Sequence, residues 1–145
     1  MHAHVSLITL AVADLERALR FYRDGLGWRT KGIVGKEFEH GAVVFFDLAG
    51  GLKLALWPRE SLAFESGLPT GDASRPTFSL GHNVGSEAEV DAIVSESARA
   101  GGTVLKPAEK TFWGGYAAYV QDPDGHLWEI AFNPAMVPSN DATSK

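Results

Sequence analysis

Residues 119–130 read Tyr-Val-Gln-Asp-Pro-Asp-Gly-His-Leu-Trp-Glu-Ile, and this stretch decides the fold. Its centre, Asp122-Pro123-Asp124-Gly125, is a strong turn sequence, because aspartate, proline and glycine each favour backbone conformations that reverse the chain. Apolar and aromatic residues recur on both sides of this turn. The stretch therefore predicts two strands, Tyr116 to Gln121 and His126 to Phe132, joined as a hairpin.

A related hairpin is predicted earlier in the chain. Two strands, Ala42 to Leu48 and Leu52 to Trp57, are joined by Ala49-Gly50-Gly51. Asp47 and Gly50 have the same spacing as Asp122 and Gly125. We therefore place Asp47 in register with Asp122 and interpret the two hairpins as copies of one unit.

A strand, a helix and a further strand precede each hairpin in the same order. Asp14 offers an N-cap carboxylate for the first helix, and Ser86 with Glu89 forms a capping box for the second. The other strands are predicted at Val5–Val12 and Trp28–Val34 in the first half, and at Pro76–Val84 and Thr103–Leu105 in the second. Each half is therefore predicted as strand, helix, strand, strand, strand.

Residues 58–75 interrupt this pattern with several Pro, Gly and Ser residues, which predicts a linker. Module one then covers about residues 5–57 and module two about residues 76–134. A tail follows at 135–145, and the whole chain is expected to be a single domain of 145 residues.

Composition excludes several classes of protein. The hydrophobic fraction of 45% suits a globular domain, and the net charge of −5 without a basic run argues against a nucleic-acid partner. The absence of cysteine excludes disulfides and thiolate metal sites. No apolar stretch approaches the roughly 18 residues that a membrane helix needs, and the start lacks the features of a signal peptide. We therefore expect a cytoplasmic protein that does not bind membranes.

The duplicated module resembles the vicinal oxygen chelate superfamily, which includes glyoxalase I, extradiol dioxygenases and bleomycin-resistance proteins. Residues 12–15 (Val-Ala-Asp-Leu), 21–28 (Phe-Tyr-Arg-Asp-Gly-Leu-Gly-Trp) and 119–130 carry the match. The resemblance implies an α+β fold of two tandem βαβββ modules. Their mostly antiparallel sheets would form a cup with helices on the outside, often within a homodimer. The implied partner is a small organic ligand held in the cup.

Strand parity gives Glu129 a predicted position. Side chains alternate along a strand, so Trp128, Ile130 and Phe132 share one face, which suits packing on helices. Glu129 lies on the opposite face, which the resemblance makes the lining of the cup. Burying a carboxylate among apolar neighbours is costly unless a partner compensates it. The alternative is that Glu129 is exposed at a strand edge or bonded to an arginine or to backbone.

Metal-dependent members of the superfamily take His and Glu ligands from the first and last strands of each module. Leu54 follows Asp47 at the spacing with which Glu129 follows Asp122, and counting back from the two helix caps gives Leu7 and Ser79. Leucine cannot coordinate a metal, and a zinc-type site needs about three protein ligands. We therefore expect no metal and no cofactor. His82 is predicted to face the helix layer, a prediction that a β-bulge would reverse.

Aromatic residues supply further candidates. Trp113 and Tyr116 lie in a loop that leads into a strand, and in the superfamily the segment before this strand often borders the cup. Both are therefore candidate ligand contacts, with core closure or a dimer contact as alternatives. Phe45 and Trp57 are expected in the core.

Our leading hypothesis is a metal-free protein of the glyoxalase and bleomycin-resistance type that binds a small organic molecule in an apolar cup. The predicted ligand-binding residues are Leu7, Leu54, Ser79, Trp113, Tyr116 and Glu129. Turnover is left open. The alternatives are a metal-dependent lyase, isomerase or dioxygenase, a metal-free enzyme with Glu129 as general base, and a module that only assembles with other proteins.

Overall fold

Each half of the chain forms a four-stranded mixed sheet in the computed structural model, which describes residues 1–69 and 76–138. These two stretches belong to two separate compact units. In both units the chain runs strand, helix, strand, strand, strand, which confirms the predicted α+β fold of tandem βαβββ modules. No helix within the described stretches is long and apolar enough to cross a membrane.

The first unit contains β1 (Leu7–Val12), α1 (Leu15–Leu19), β2 (Ile33–Val34), β3 (Val43–Asp47), β4 (Lys53–Pro58) and α2 (Arg59–Ser66). A π-helical turn over Arg20–Gly25 continues α1, and a 3-10 turn over Ala49–Gly51 joins β3 to β4. The sheet order is β1-β4-β3-β2. The β1–β4 pair is parallel and the other pairs are antiparallel.

The second unit contains β5 (Leu80–Val84), α3 (Glu87–Arg99), β6 (Thr103–Lys110), β7 (Tyr116–Gln121) and β8 (Leu127–Phe132). Its sheet order, β5-β8-β7-β6, repeats that of the first unit. Here too the first strand of the unit is parallel to the last, and the other pairs are antiparallel.

One face of each sheet packs against helix. In the first unit Tyr22, from the π-helical turn, is fully buried and its ring lies 5.9 Å from that of Phe46. In the second unit Val90 of α3 is fully buried with Ile130 of β8. Burying side chains of this size stabilises the fold by about 1.5–3 kcal/mol each. The opposite face of each sheet is therefore the one free to carry a site.

The predicted caps define the starts of two helices. The Asp14 carboxylate accepts a hydrogen bond from the Arg17 amide at 3.1 Å, and the Ser86 hydroxyl accepts one from the Glu89 amide at 3.2 Å. The Glu89 carboxylate in turn accepts from the Gly85 amide at 2.6 Å. Each cap satisfies a backbone donor that the first turn of a helix leaves without a partner.

Two sequence-based assignments are corrected. Residues 59–66 of the predicted linker form α2, which begins after Pro58 and ends at Gly67 in the left-handed conformation with φ 74°. Residues 70–75 lie outside the described residues. The predicted strand from Trp28 shortens to Ile33–Val34, because the Trp28 ring instead packs in the core, 5.7 Å from that of Phe46.

The pairing of the two hairpins corrects the register between the modules. Asp47 pairs with Lys53 at the end of the first hairpin, whereas Gln121 pairs with Leu127 at the end of the second. Asp47 therefore corresponds to Gln121 and not to Asp122. The residue of module one that matches Glu129 is consequently Ala55.

Candidate functional site

The open face of the first sheet carries the clearest candidate site. Ala55 on the central strand β4 pairs with Thr9 on one side and with Phe45 on the other, so these three side chains lie next to each other on one face. Phe45 is 41% exposed there, which contradicts its expected place in the core. The fully buried Leu54 lies on the opposite face, against the helix layer.

A cavity of about 290 Å³ lies over this face. Its lining residues are Leu7, Thr9, His40, Gly41, Val43, Phe45, Ala55 and Trp57. Their side chains are mostly apolar, with one imidazole and one threonine hydroxyl among them. Sites for small organic molecules have this composition, because apolar walls supply affinity and a few polar groups fix orientation.

His40 is held in an unusual conformation at the wall of this cavity. Its φ of 54° is in the left-handed region, which few residues other than glycine adopt. The Trp57 indole donates to the His40 carbonyl at 3.0 Å, the Ser61 hydroxyl lies 3.0 Å from Nδ1, and the Phe64 ring stacks at 4.4 Å. Nε2 has no hydrogen-bond partner within residues 1–69 and 76–138, so it can bond to a bound molecule.

A second cavity, of about 490 Å³, adjoins the first on the same sheet face. It is lined by Arg29, Thr30, Lys31, Gly32, Val34, Phe45, Asp47 and Lys53. The Lys53 ammonium bonds to the Asp47 carboxylate at 2.6 Å, and this bond, together with the charges of Lys53 and Lys31, lowers the pKa of Asp47. The cavity is therefore rich in positive charge.

Glu129 occupies the equivalent face of the second sheet, as strand parity predicts. It pairs with Tyr119 across β7 and β8, and the Tyr119 hydroxyl donates to Glu129 Oε2 at 2.7 Å. This bond, with burial and the carboxylate charge, raises the pKa of Tyr119. Glu129 Oε1 has no partner among the described residues and can accept a hydrogen bond. The pair thus presents one oriented carboxylate oxygen.

The other predicted ligand residues have several different surroundings, each described within its own module. Tyr116 packs against the helix-facing cluster and donates to Asp91 of α3 at 2.7 Å, which agrees with the alternative of core closure and places it on the face opposite to Glu129. Leu54 lies on the helix side of its sheet, because Ala55 and not Leu54 corresponds to Glu129. Trp113 lies over Gly115 in its own loop, where an added Cβ would meet the indole ring. Leu7 lines the first cavity, and Ser79 is exposed just before β5.

The residues present do not fit the metal that many members of the resembled superfamily hold. With the corrected register, the four ligand positions are Leu7, Ala55, Ser79 and Glu129. Two of these side chains have no coordinating atom, and one carboxylate with one neutral hydroxyl falls short of a zinc-type ligand set. Within residues 1–69 and 76–138, no group of three or more His, Asp or Glu residues could hold a metal ion.

His82 lies on the helix side of the second sheet, as predicted. It pairs with Ile130 in a parallel ladder, and Ile130 belongs to the cluster that packs with α3. Although His82 is exposed as a whole residue, desolvation of its ring lowers its pKa, and the Glu89 charge only partly opposes this effect. His82 therefore lies on the face opposite to Glu129.

Sequence reasoning did not identify His40 or the positively charged cavity. His40 precedes a strand and has no motif around it, and its role depends on contacts with Trp57 and with Ser61, which is 21 residues away. One signal was available for the charges. Arg29 and Lys31 are two residues apart just before β2, so in an extended chain their side chains point to the same side.

A family model described as "Glyoxalase/Bleomycin resistance protein/Dioxygenase superfamily" matches residues 3–130. A search of curated proteins gave no match. Among solved structures, a glyoxalase-related enzyme from Fulvimarina pelagi is 38% identical, with a TM-score of 0.78 over 91% of this chain and 89% of that chain.

Two further solved structures share the fold at lower identity. A glyoxalase/bleomycin resistance protein/dioxygenase family enzyme from Burkholderia phytofirmans is 20% identical, with a TM-score of 0.73 over 90% of this chain and 98% of that chain. A lactoylglutathione lyase from Agrobacterium tumefaciens is 22% identical, with a TM-score of 0.60 over 90% and 94%.

Proposed function

Because this chain belongs to the glyoxalase/bleomycin resistance protein/dioxygenase superfamily, we propose that it binds a small organic molecule in the apolar cavity of its first module, without a metal ion. The observation that carries this proposal is the cavity of about 290 Å³ on an open sheet face, with His40 at its wall. The name of the Fulvimarina pelagi relative, a glyoxalase-related enzyme, is compatible with a small ligand.

The lining explains how such a ligand would be held. Phe45 and Trp57 offer two aromatic surfaces on neighbouring strands, and aromatic contacts add to the free energy gained from burying apolar area. His40 Nε2 would bond to one polar atom of the ligand. The bond from Trp57 holds the His40 backbone and the bond with Ser61 holds its ring before binding, which reduces the conformational entropy lost when a ligand binds.

Binding of phenylnaphthylamine, a neutral aromatic fluorophore that brightens in apolar sites, tests the proposal. We expect saturable binding to the purified chain at one site. Phe45→Ala removes one aromatic wall and should weaken binding about five- to tenfold. Fluorescence titration measures both affinities.

Phe112→Ala is the matched control, because the side chain of Phe112 is fully exposed and lies outside the cavity. We expect it to leave the affinity unchanged. Equal weakening by both variants would show non-specific adsorption, and a failure of the wild-type chain to saturate would contradict the proposal.

A second candidate function is metal-free proton transfer by Glu129. Its support is the hydrogen bond from Tyr119, which fixes one carboxylate oxygen and leaves the other free to take a proton. A positioned carboxylate of this kind can act as the general base that abstracts a proton next to a carbonyl.

Deuterium exchange at the carbons next to the carbonyl of hydroxyacetone, followed by NMR in heavy water, tests this second function. We expect exchange above the buffer rate that Glu129→Gln abolishes and Tyr119→Phe slows. Exchange that persists in Glu129→Gln at the same rate would assign any activity to another group.

A further inference from the structure

The two cavities of the first module are neighbours on one sheet face, because Phe45 lines both of them. Phe45 and Asp47 are two residues apart on β3, as are Ala55 and Lys53 on β4. Two residues of a strand span roughly 7 Å, so one molecule about as long as two fused aromatic rings would reach both cavities.

The charges in the second cavity do not cancel. Its lining contains three cationic side chains, Arg29, Lys31 and Lys53, but only one carboxylate, Asp47. Lys53 is bonded to Asp47. Neither Arg29 nor Lys31 forms a salt bridge within residues 1–69 and 76–138. The cavity therefore has two positive charges in excess, in a chain whose net charge is −5.

The segment that carries Arg29 and Lys31 is hydrogen-bonded to the sheet rather than forming a mobile loop. The Thr30 hydroxyl donates to the Phe45 carbonyl at 2.7 Å, and the Gly32 amide donates to the same hydroxyl at 3.2 Å. Arg29 and Lys31 flank this anchor, so their backbone is held beside β3. Fixed cations lose less entropy on binding an anion than cations on a mobile loop.

We infer that the ligand of the apolar cavity is an organic anion, with an aromatic or aliphatic body against Phe45 and a carboxylate, sulfonate or phosphate group near Arg29, Lys31 and Lys53. This inference rests on the proposed function and adds the chemical class of the ligand. Arginine and lysine are the side chains that recognise such groups, arginine through paired hydrogen bonds and lysine as a point charge.

A matched pair of fluorophores tests the inference. Anilinonaphthalene sulfonate has the aromatic body of phenylnaphthylamine with one added sulfonate. We expect the sulfonate to bind more tightly than the neutral probe at low salt. This advantage should shrink as the ionic strength rises from about 0.05 M to 0.5 M, because salt screens exposed charges.

Charge variants locate the anion. Arg29→Gln and Lys31→Gln should each weaken sulfonate binding about two- to fivefold, the range of an exposed ion pair, and leave the neutral probe unchanged. Asp47→Asn removes the competing carboxylate and releases Lys53, so it should strengthen sulfonate binding by a similar factor. Lys36→Gln is the matched control, since Lys36 is an exposed lysine outside both cavities, and we expect no effect.

The outcomes separate this inference from the proposed function. Saturable binding of the neutral probe, with no advantage for the sulfonate and no effect of the charge variants, would overturn the inference alone. Failure of both probes to saturate would overturn both. Weakening of the sulfonate by Lys36→Gln as much as by Lys31→Gln would also overturn the inference, because the general charge of the chain would then account for binding.

Discussion

The strained backbone of His40 can be tested through the stability of variants at this position. His40 has φ 54°, a conformation that costs an alanine about 1 kcal/mol more than a glycine. We therefore expect His40→Ala to unfold about 1 kcal/mol more easily than His40→Gly, although both lose the contacts to Ser61 and Phe64. Chemical denaturation of the two variants measures the difference. Equal stabilities would mean that the loop rearranges to relieve the strain.

The hydrogen bond between Tyr119 and Glu129 makes a second prediction at the same scale. Because folding raises the pKa of Tyr119, the bond stabilises the fold fully below the ordinary tyrosine pKa of 10.0 and is lost as pH rises through the higher folded value. Ultraviolet titration should find a late-ionising tyrosine that Tyr119→Phe removes and Glu129→Gln shifts back towards its ordinary range.

Tyr116→Phe provides the control for this titration. The bond to Asp91 raises the pKa of Tyr116 as well, so this variant should remove a different late-ionising group. A Tyr119→Phe chain with an unchanged alkaline titration would contradict the bond that orients Glu129.

At the scale of the element, strand β4 has one face in the core and one at the cavity. Leu54 is fully buried, and Leu7, on the neighbouring strand, is 44% exposed. We expect Leu54→Ala to lower the free energy of unfolding by about 3 kcal/mol and Leu7→Ala by less than about 1 kcal/mol. Leu7→Ala should change the affinity for phenylnaphthylamine, because the Leu7 side chain lines the cavity.

Thermal or chemical unfolding of the two variants checks this prediction, and the chemical change is identical in both. Similar losses would mean that Leu54 does not face the helix layer. The register correction, which replaces Leu54 with Ala55 as the counterpart of Glu129, would then be wrong.

Most elements were predictable because their signals are local. The caps at Asp14 and Ser86 and the turn at Asp122-Pro123-Asp124-Gly125 act within a few residues, and the structure has them where the sequence predicts. Helix α2 was missed because its proline and glycine mark a linker as readily as the two ends of a helix. The one-residue register error arose because Asp47 and Asp122, although each lies near a hairpin turn, are not equivalent and have different roles. Asp47 pairs with Lys53, whereas Asp122 accepts turn amides.

At the scale of the whole chain, the donor set predicts that ligand binding is independent of metal. The four positions taken from the resembled superfamily are Leu7, Ala55, Ser79 and Glu129, which do not make a ligand set for a divalent ion. We expect treatment with a chelator, followed by gel filtration, to leave the affinity for phenylnaphthylamine unchanged. Loss of binding that a divalent ion restores would reveal donors beyond these four.

The candidate site was harder to predict than the fold, since it is built from contacts between distant parts of the chain. Parity along β8 was sufficient to place Glu129, because that argument needs only the alternation of a single strand. The cavity depends on His40, Phe45 and Trp57 meeting across a loop and two strands. The charge of the neighbouring cavity depends on a segment that the Thr30 hydroxyl hydrogen-bonds to β3.

The offset between the two hairpins also matters for building hybrid chains from the duplicated halves. Thr9, Phe45 and Ala55 in one half correspond to Gly81, Tyr119 and Glu129 in the other. A transplant of the second hairpin joined where the aspartates align would turn every side chain of its last strand over and bury the carboxylate. A splice that aligns Gln121 with Asp47 keeps the Glu129 carboxylate on the open face. The first module would then carry the polar group of the second.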